Sequence, residues 1–301
     1  MSIFSRFFLL ALLLAALQRP AQADALQFDR YIAFCSWSAT ERELLEDLAD
    51  GELADFSVLE AALIIAGHDA GHVVDLKRIF SDSLARCSRT IRNEPDRNQR
   101  IRILFKHLND EFLHGNYQPD LYDVGRTLND GDFNCLTATI LFHSLCQAHA
   151  IEVQAIWEPS HVQCWVPTSE SSGILVETTA SHAWSAVGPH MAASKLVDRR
   201  LSTSELIAKV FYNRGVCELR KHDYQHALAM TWASSLLDPG DKPAQHNLRA
   251  CFNNWALKAF QQNDLELAKK LLEEGLNLAP DYAPLSRNRA MLIREIDGPD
   301  R

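Results

Sequence analysis

The stretch Gly131-Asp132-Phe133-Asn134-Cys135-Leu136-Thr137-Ala138-Thr139 decides the fold, because it opens an apolar helix with a cysteine. Residues 136–150 are apolar and continuous enough to form a buried helix. Cys135 is therefore expected at a helix N-terminus, where unpaired N–H groups and the helix dipole favour an anion by about 0.3–1 kcal/mol at exposed sites. Since the thiolate is the reactive form of cysteine, this position indicates a possible nucleophile.

Three strand-like segments follow the helix. Residues 152–157 and 161–166 alternate between apolar and polar, and the turn residues 158–160 between them predict a hairpin. A second turn at residues 170–173 leads to a third strand, residues 174–179. In an antiparallel sheet, His161 and Glu177 can become cross-strand neighbours toward Cys135.

Cys135, His161 and Glu177 thus occur in the order of a nucleophile, a base and an orienter. His161 can take the thiol proton and pass it to a leaving group, while Glu177 can accept the other imidazole N–H and fix the tautomer. A neighbouring imidazolium is expected to lower the thiol pKa. The alternative is a core cysteine, a turn histidine and an exposed strand glutamate. Asn134 is expected to cap the helix rather than line an oxyanion pocket, for which the N–H of Cys135 is a reasonable donor.

Residues 104–179 resemble the transglutaminase-like superfamily of papain-type folds, in particular its bacterial SirB-type branch. The resemblance is carried by the helix start at residues 133–136, by the strands at 159–162 and 176–179, and by the helical lead-in at 59–66. It implies a nucleophile at Cys135, a base at His161 and an orienter at Glu177. Enzymes of this superfamily usually have Asp where Glu177 stands.

The chain is expected to have an α+β fold in three parts after a signal peptide. Residues 24–115 form a helical N-terminal region, with helix starts at Ser38 and Ser57, a break at 67–72 and a further helix from Arg97. Residues 116–200 form the transglutaminase-like core of a helix and an antiparallel sheet.

Residues 201–301 are expected to form tetratricopeptide-like repeats and a capping helix. Asp223 and Pro239 recur 41 residues later as Asp264 and Pro280, which predicts two helix pairs before a helix at 281–296. Such repeats either bind an extended peptide or partner protein, or only shield one side of the central part.

The N-terminus predicts export. Arg6 precedes the apolar run 7–17, and the small-residue site Ala21-Gln22-Ala23 follows it. The run is about 11 residues long, short of the ~20 that span a bilayer. Residues 1–23 are therefore read as a signal peptide cleaved before Asp24, and the mature protein is expected to be periplasmic, without a membrane span. The alternative is an uncleaved anchor.

Composition excludes some classes of partner. The chain has 301 residues, 47% hydrophobic, with a net charge of -9 and no basic stripe, so nucleic acid is not expected. No nucleotide-binding glycine pattern or zinc-type cysteine pair is present, so no cofactor or metal is expected. His68 and His72 are four residues apart, as metal ligands on a helix can be, but Gly67 and Gly71 favour a polar turn. The sequence sets no oligomeric state.

The seven cysteines are expected to include one disulfide if the compartment is oxidising. Cys35 and Cys87 flank the N-terminal helices and are the most plausible pair. Cys135 is expected to be free. The others lie in apolar segments and are expected to be buried thiols: Cys146, Cys164, Cys217 and Cys251.

Two functions remain open. The first is an exported thiol enzyme that acts on protein or peptide amides through an acyl-Cys135 intermediate. Hydrolysis is favoured over transfer to an amine, because nothing in the sequence indicates a dry channel for an amine. The second is a non-catalytic periplasmic module that binds a protein partner with the same cleft and the repeats. An accessible Cys135 with a low pKa would distinguish the enzyme.

Overall fold

The computed structural model describes residues 35, 37–158, 161–169, 172–180, 184–187 and 200–297. These residues form an α+β protein, as predicted, with eleven α-helices and one five-stranded sheet. The helices are α1 Ala39–Asp47, α2 Val58–Ile65, α3 Ala70–Ile91, α4 Arg97–Glu111, α5 Val124–Asp130, α6 Cys135–Ala148, α7 Thr203–Arg220, α8 Tyr224–Leu237, α9 Lys242–Gln261, α10 Leu265–Leu278 and α11 Ala283–Asp297. The strands are β1 Gln154–Glu158, β2 His161–Pro167, β3 Gly173–Val176, β4 Trp184–Val187 and β5 Arg200–Leu201.

Side-chain caps start the N-terminal helices where the sequence predicts. Ser38 forms a capping box with Glu41 before α1, and Ser57 accepts a hydrogen bond from the N–H of Glu60 at 3.2 Å before α2. The predicted break at residues 67–72 is shorter in the structure, because Asp69 caps the new helix α3 and residues 70–72 are helical. These bonds satisfy backbone N–H groups that have no partner within a helix.

The sheet is antiparallel, in the order β4-β3-β2-β1-β5. The predicted hairpin of β1 and β2 is confirmed, with register from Gln154↔Trp165 to Glu158↔His161. The predicted third strand is shorter than expected, since β3 ends at Val176 and Glu177 follows it directly. Helix α6 packs on β2, where the thiol of Cys164 lies 3.9 Å from the carbonyl of Thr139.

The helices after the sheet form two successive pairs and a final helix. Close packing depends on small residues: a Cβ added to Gly215 in α7 would lie 2.8 Å from Thr231 of α8. Ala227, Ala256 and Ala268 are also buried between helices. The final helix begins at Ala283, two residues after the predicted start.

One apolar core runs through the N-terminal helices, the sheet and the later helices. Helix α7 also joins the N-terminal helices through a polar link, because the Arg214 guanidinium donates to Glu41 at 3.0 Å and to the carbonyl of Ile65. The three parts of the chain therefore pack against one another.

The predicted Cys35–Cys87 disulfide is wrong. All seven cysteines lie in the described part of the chain and have free thiols. Cys35 lies beside Cys251, whereas Cys87 lies beside Glu111, so the two belong to different neighbourhoods. Cys217 is half-buried rather than buried.

The predicted signal peptide at residues 1–23 lies outside the described residues. Within the described residues, no helix has the length and hydropathy required to cross a membrane.

Candidate functional site

Asn134 sets the start of α6 and so the position of Cys135. Its side-chain oxygen accepts from the N–H of Thr137 at 3.0 Å, and the Thr137 hydroxyl accepts from the N–H of Asn134 at 3.1 Å. The Asn134 amide nitrogen donates to the carbonyls of Pro119 and Leu121, at 3.1 and 2.7 Å. Because these bonds use both amide hydrogens, Asn134 is a helix cap, as predicted, and has no hydrogen left for an oxyanion.

The loop before α5 is held against the segment that leads to Cys135. The N–H of Gly115 donates to Gly131, and the N–H of Phe133 donates to Asn116, at 2.9 and 3.1 Å. Buried Asp132 fixes the same loop by accepting from the N–H of Asn116 at 3.0 Å. This pairing brings Tyr117 beside the start of α6.

Tyr117 is a residue of the site that the sequence analysis missed. Its ring lies edge-on to Phe133, with 5.8 Å between ring centroids, and its hydroxyl is close enough to the thiol of Cys135 to oppose the rise in the thiol pKa. Burial raises the pKa of Tyr117, as do the neighbouring Cys135 and Glu177. The side chain is nevertheless 51% exposed, so solvent reaches this edge of the site.

His161 and Glu177 form the cross-strand pair that the sequence predicts. The Nε2 atom of His161 is hydrogen-bonded to Oε2 of Glu177. The other carboxylate oxygen, Oε1, accepts from the hydroxyl and the N–H of Thr179, at 2.7 and 3.2 Å. Thr179 therefore fixes the carboxylate that orients the imidazole.

This pairing assigns different tasks to the two ring nitrogens of His161. With Nε2–H donating to the carboxylate, a neutral imidazole carries its acceptor lone pair on Nδ1. Nδ1 is thus the nitrogen that can take a proton from a nucleophile. The ring is 31% exposed, which leaves it open to a bound molecule.

The thiol of Cys135 lies among hydrogen-bond donors but is not activated in this state. Burial raises its pKa; the N–H groups of Val162 and Leu136 and the Tyr117 hydroxyl oppose this rise, and Glu177 adds to it. Among the described residues, no hydrogen bond joins Cys135 to His161. The expected lowering of the thiol pKa is therefore wrong here, because half-burial of the sulfur outweighs its donors.

Cys135, His161 and Glu177, which are far apart in the sequence, thus lie near one another at one edge of the sheet. Glu177 is close enough to affect the pKa of both the thiol and Tyr117, and the N–H of Val162, the residue after His161, is close enough to oppose the rise in the thiol pKa. Catalytic hydrogen bonds are often long in the absence of substrate and tighten when it binds. Proton transfer from Cys135 to His161 would require such a bond to form between them.

His68 and His72 lie side by side at the start of α3. His68 Nε2 lies 2.8 Å from Asp123 Oδ1, and the two imidazoles are edge to face, with 4.7 Å between centroids. In the described part of the chain, no group of three or more potential ligands is arranged to hold a metal ion. The predicted polar turn is wrong for Gly71 and His72, which lie in α3, whereas His68 lies in the turn before it and bonds to the residue that caps α5.

Comparisons of this chain with protein-family models, curated proteins and solved structures find no match.

Proposed function

We propose that this protein is an exported, transglutaminase-like thiol enzyme that cleaves protein or peptide amides through an acyl-Cys135 intermediate. The observation that carries the proposal is the His161–Glu177 pair, whose carboxylate is held by Thr179 beside the thiol. A histidine that merely fills a turn needs no such orienter. The raised pKa of Cys135 favours a neutral thiol that His161 deprotonates as the sulfur attacks an electrophile, rather than a standing ion pair.

In the acylation step, Nδ1 of His161 takes the proton of the Cys135 thiol while the sulfur attacks the amide carbonyl. The carbonyl oxygen becomes an oxyanion, for which the N–H of Cys135 is a donor because it begins a helix and has no partner within it. The imidazolium then gives its proton to the amide nitrogen. The C–N bond breaks, the amine leaves and a thioester remains on Cys135.

In the second step, water or an amine attacks the thioester. His161 accepts the proton of the attacking group and returns it to the sulfur as the C–S bond breaks, which regenerates the thiol and releases the acyl product. Hydrolysis is favoured over transfer to an amine, because half-exposed Tyr117 and His161 leave the site open to water. Glu177 stabilises the imidazolium in both steps.

The family, the repeats and the location belong to the same proposal. A cysteine at the first turn of a helix, followed by a histidine and an acid on successive strands, supports the transglutaminase-like assignment. Two helix pairs packed through Gly215 and several alanines support tetratricopeptide-like repeats. The apolar run and small-residue site at residues 7–23 support export.

A second candidate is a protein-binding module without catalysis. One observation favours it: the pKa of Cys135 is raised, which disfavours the thiolate that a thiol enzyme needs. A shallow apolar depression between α9, α10 and α11, lined by Leu257, Phe260 and Met291, is a further surface that a partner could contact.

The two functions are separated by the rate at which iodoacetamide modifies Cys135 between about pH 5 and about pH 10, with the modified residue identified by mass spectrometry. We expect modification below about pH 8 that His161→Asn slows by about 100-fold, the scale of general base catalysis. Glu177→Gln should slow it less, since the histidine remains.

Cys217 provides an internal control, because it is also half-buried but bonds only to the carbonyl of Asp120, at 3.4 Å. The rate at which Cys217 is modified should be the same in the natural protein, in His161→Asn and in Glu177→Gln. If Cys135 in His161→Asn reacts as in the natural protein, the enzyme is rejected and the binding module is retained.

A further inference from the structure

A buried lysine joins the later helices to one another. Lys209 of α7 is 3% exposed, and its ammonium lies 2.6 Å from carboxylate oxygens of both Asp238 and Asp241. Asp238 follows α8, while Asp241 caps α9 through the N–H of Ala244 at 3.2 Å. Lys209 therefore fixes the turn between α8 and α9. Burying three charged groups is costly, and it is offset only when the groups are close together and well hydrogen-bonded.

The same ammonium also reaches the sheet. Its nitrogen lies 4.6 Å from the ring centroid of Trp157 in β1, within the range of a cation–π interaction. Trp157 is half-buried and packs against the main apolar core. Lys209 is thus a junction between the helical pairs and the first strand.

Trp157 lies in β1, beside the end of β2 that carries His161. In the β1–β2 register, Trp157 pairs with Val162 and Glu158 pairs with His161. Val162 lies close enough to Cys135 for its N–H to oppose the rise in the thiol pKa. A shift of Trp157 would therefore move both Val162, beside the sulfur, and the strand end that carries the base.

We propose that Lys209 is a positioning residue through which the helical repeats hold His161 and Val162 in place beside Cys135. This inference rests on the proposed function, because it concerns how the residues of that same site are held in position. The repeats then do more than shield the sheet: their α8–α9 turn is tied to the geometry of the thiol site.

Helix α7 offers a matched control. Lys209→Met keeps a long apolar stem and removes the charge, and Trp157→Phe is a milder change at the other side of the contact. Arg214→Met removes another cation of α7, a half-buried one that bonds to Glu41 and Ile65 in the N-terminal helices rather than to the sheet. All three substitutions weaken packing, but only Lys209→Met and Trp157→Phe alter a contact with β1.

Two measurements on the full chain test the proposal: amide hydrogen exchange in β1 and β2, and iodoacetamide modification of Cys135 below about pH 8. We expect Lys209→Met and Trp157→Phe to speed exchange in the hairpin by about tenfold and to slow modification of Cys135. Arg214→Met should lower the urea midpoint yet leave both quantities at their natural values.

The proposal is overturned if the hairpin exchanges at the natural rate in both Lys209→Met and Trp157→Phe, or if Arg214→Met speeds it equally. Failure of the proposed function gives a different pattern. In that case His161→Asn leaves the modification of Cys135 unchanged, while hairpin exchange still reports whether Lys209 positions the strand.

Discussion

At the residue scale, the two oxygens of Glu177 have separate tasks. Oε2 bonds to the imidazole of His161, and Oε1 is occupied by Thr179 through both its hydroxyl and its N–H. A carboxylate held at both oxygens cannot rotate freely, so the imidazole is held in one orientation. In the proposed function, such preorganisation would avoid the cost of ordering the groups during the reaction.

The first prediction concerns Tyr117→Phe. This change removes the hydroxyl that opposes the rise in the Cys135 pKa, and a thiolate loses more from it than a neutral thiol does. The pKa of Cys135 should therefore rise, and its modification at a fixed pH of about 9 should slow by about twofold to tenfold, the scale of one hydrogen bond. Iodoacetamide rates across pH measure both. Tyr122→Phe is the control, and faster modification of Cys135 in Tyr117→Phe would contradict the assignment.

At the element scale, helix α6 joins the candidate site at one end to a buried histidine further along. His143 is 5% exposed, and its Nδ1 atom is buried without a hydrogen-bond partner among the described residues. Burial lowers the pKa of His143 to about 4 from 6.5. The helix therefore contains an imidazole that stays neutral in the folded protein.

A second prediction follows for acid stability. Between pH 6.5 and about 4 the unfolded chain binds a proton at this site and the folded protein does not, so the free energy of unfolding falls as pH falls. The loss should reach about 3 kcal/mol at the acid end. In His143→Leu the free energy of unfolding should fall less steeply with falling pH, because this proton-binding site is absent. Urea unfolding at several pH values measures the dependence. The exposed His246→Leu is the control, and equal slopes in the two variants would contradict the prediction.

Elements whose signals are local were predictable from the sequence. Ser38, Ser57 and Asn134 start helices because each supplies its own cap, and alternation predicts the β1–β2 hairpin. The His161–Glu177 pair follows from that hairpin and the next strand.

Interactions between distant segments were not predictable in the same way. Tyr117 reaches Cys135 only because the loop before α5 pairs with residues 131–133, and no pattern near Tyr117 encodes that pairing. The thiol pKa depends on how deeply the sulfur is buried, which is a property of the packed molecule. Lys209 and its two aspartates likewise come together only through helix packing.

At the scale of the whole molecule, one apolar core contains most of the thiols. Cys35, Cys87, Cys146, Cys164 and Cys251 are buried. Burial raises the pKa of Cys35 and Cys251 to about 12, and that of Cys87 to about 11. The folded protein therefore keeps these protons at alkaline pH, where an unfolded chain loses them.

A third prediction concerns alkaline stability. As pH rises above 9, the unfolded chain binds fewer protons than the folded protein, so the free energy of unfolding should fall. The expected loss is about 1 kcal/mol for each buried cysteine at about pH 10. Urea unfolding with a reductant present, repeated at increasing pH, measures it. A free energy of unfolding that stays constant or rises over this range would contradict the burial of these thiols.

The most direct test of the central claim is whether Cys135 becomes acylated by para-nitrophenyl acetate. Intact-mass and peptide analysis should find one acetyl group on Cys135, none at that position in Cys135→Ala, and acetylation slowed by about 100-fold in His161→Asn. Cys217→Ala should behave as the natural protein does. Acetylation of Cys135 at the same rate in the natural protein and in His161→Asn would contradict the account, because His161 would then not be the base.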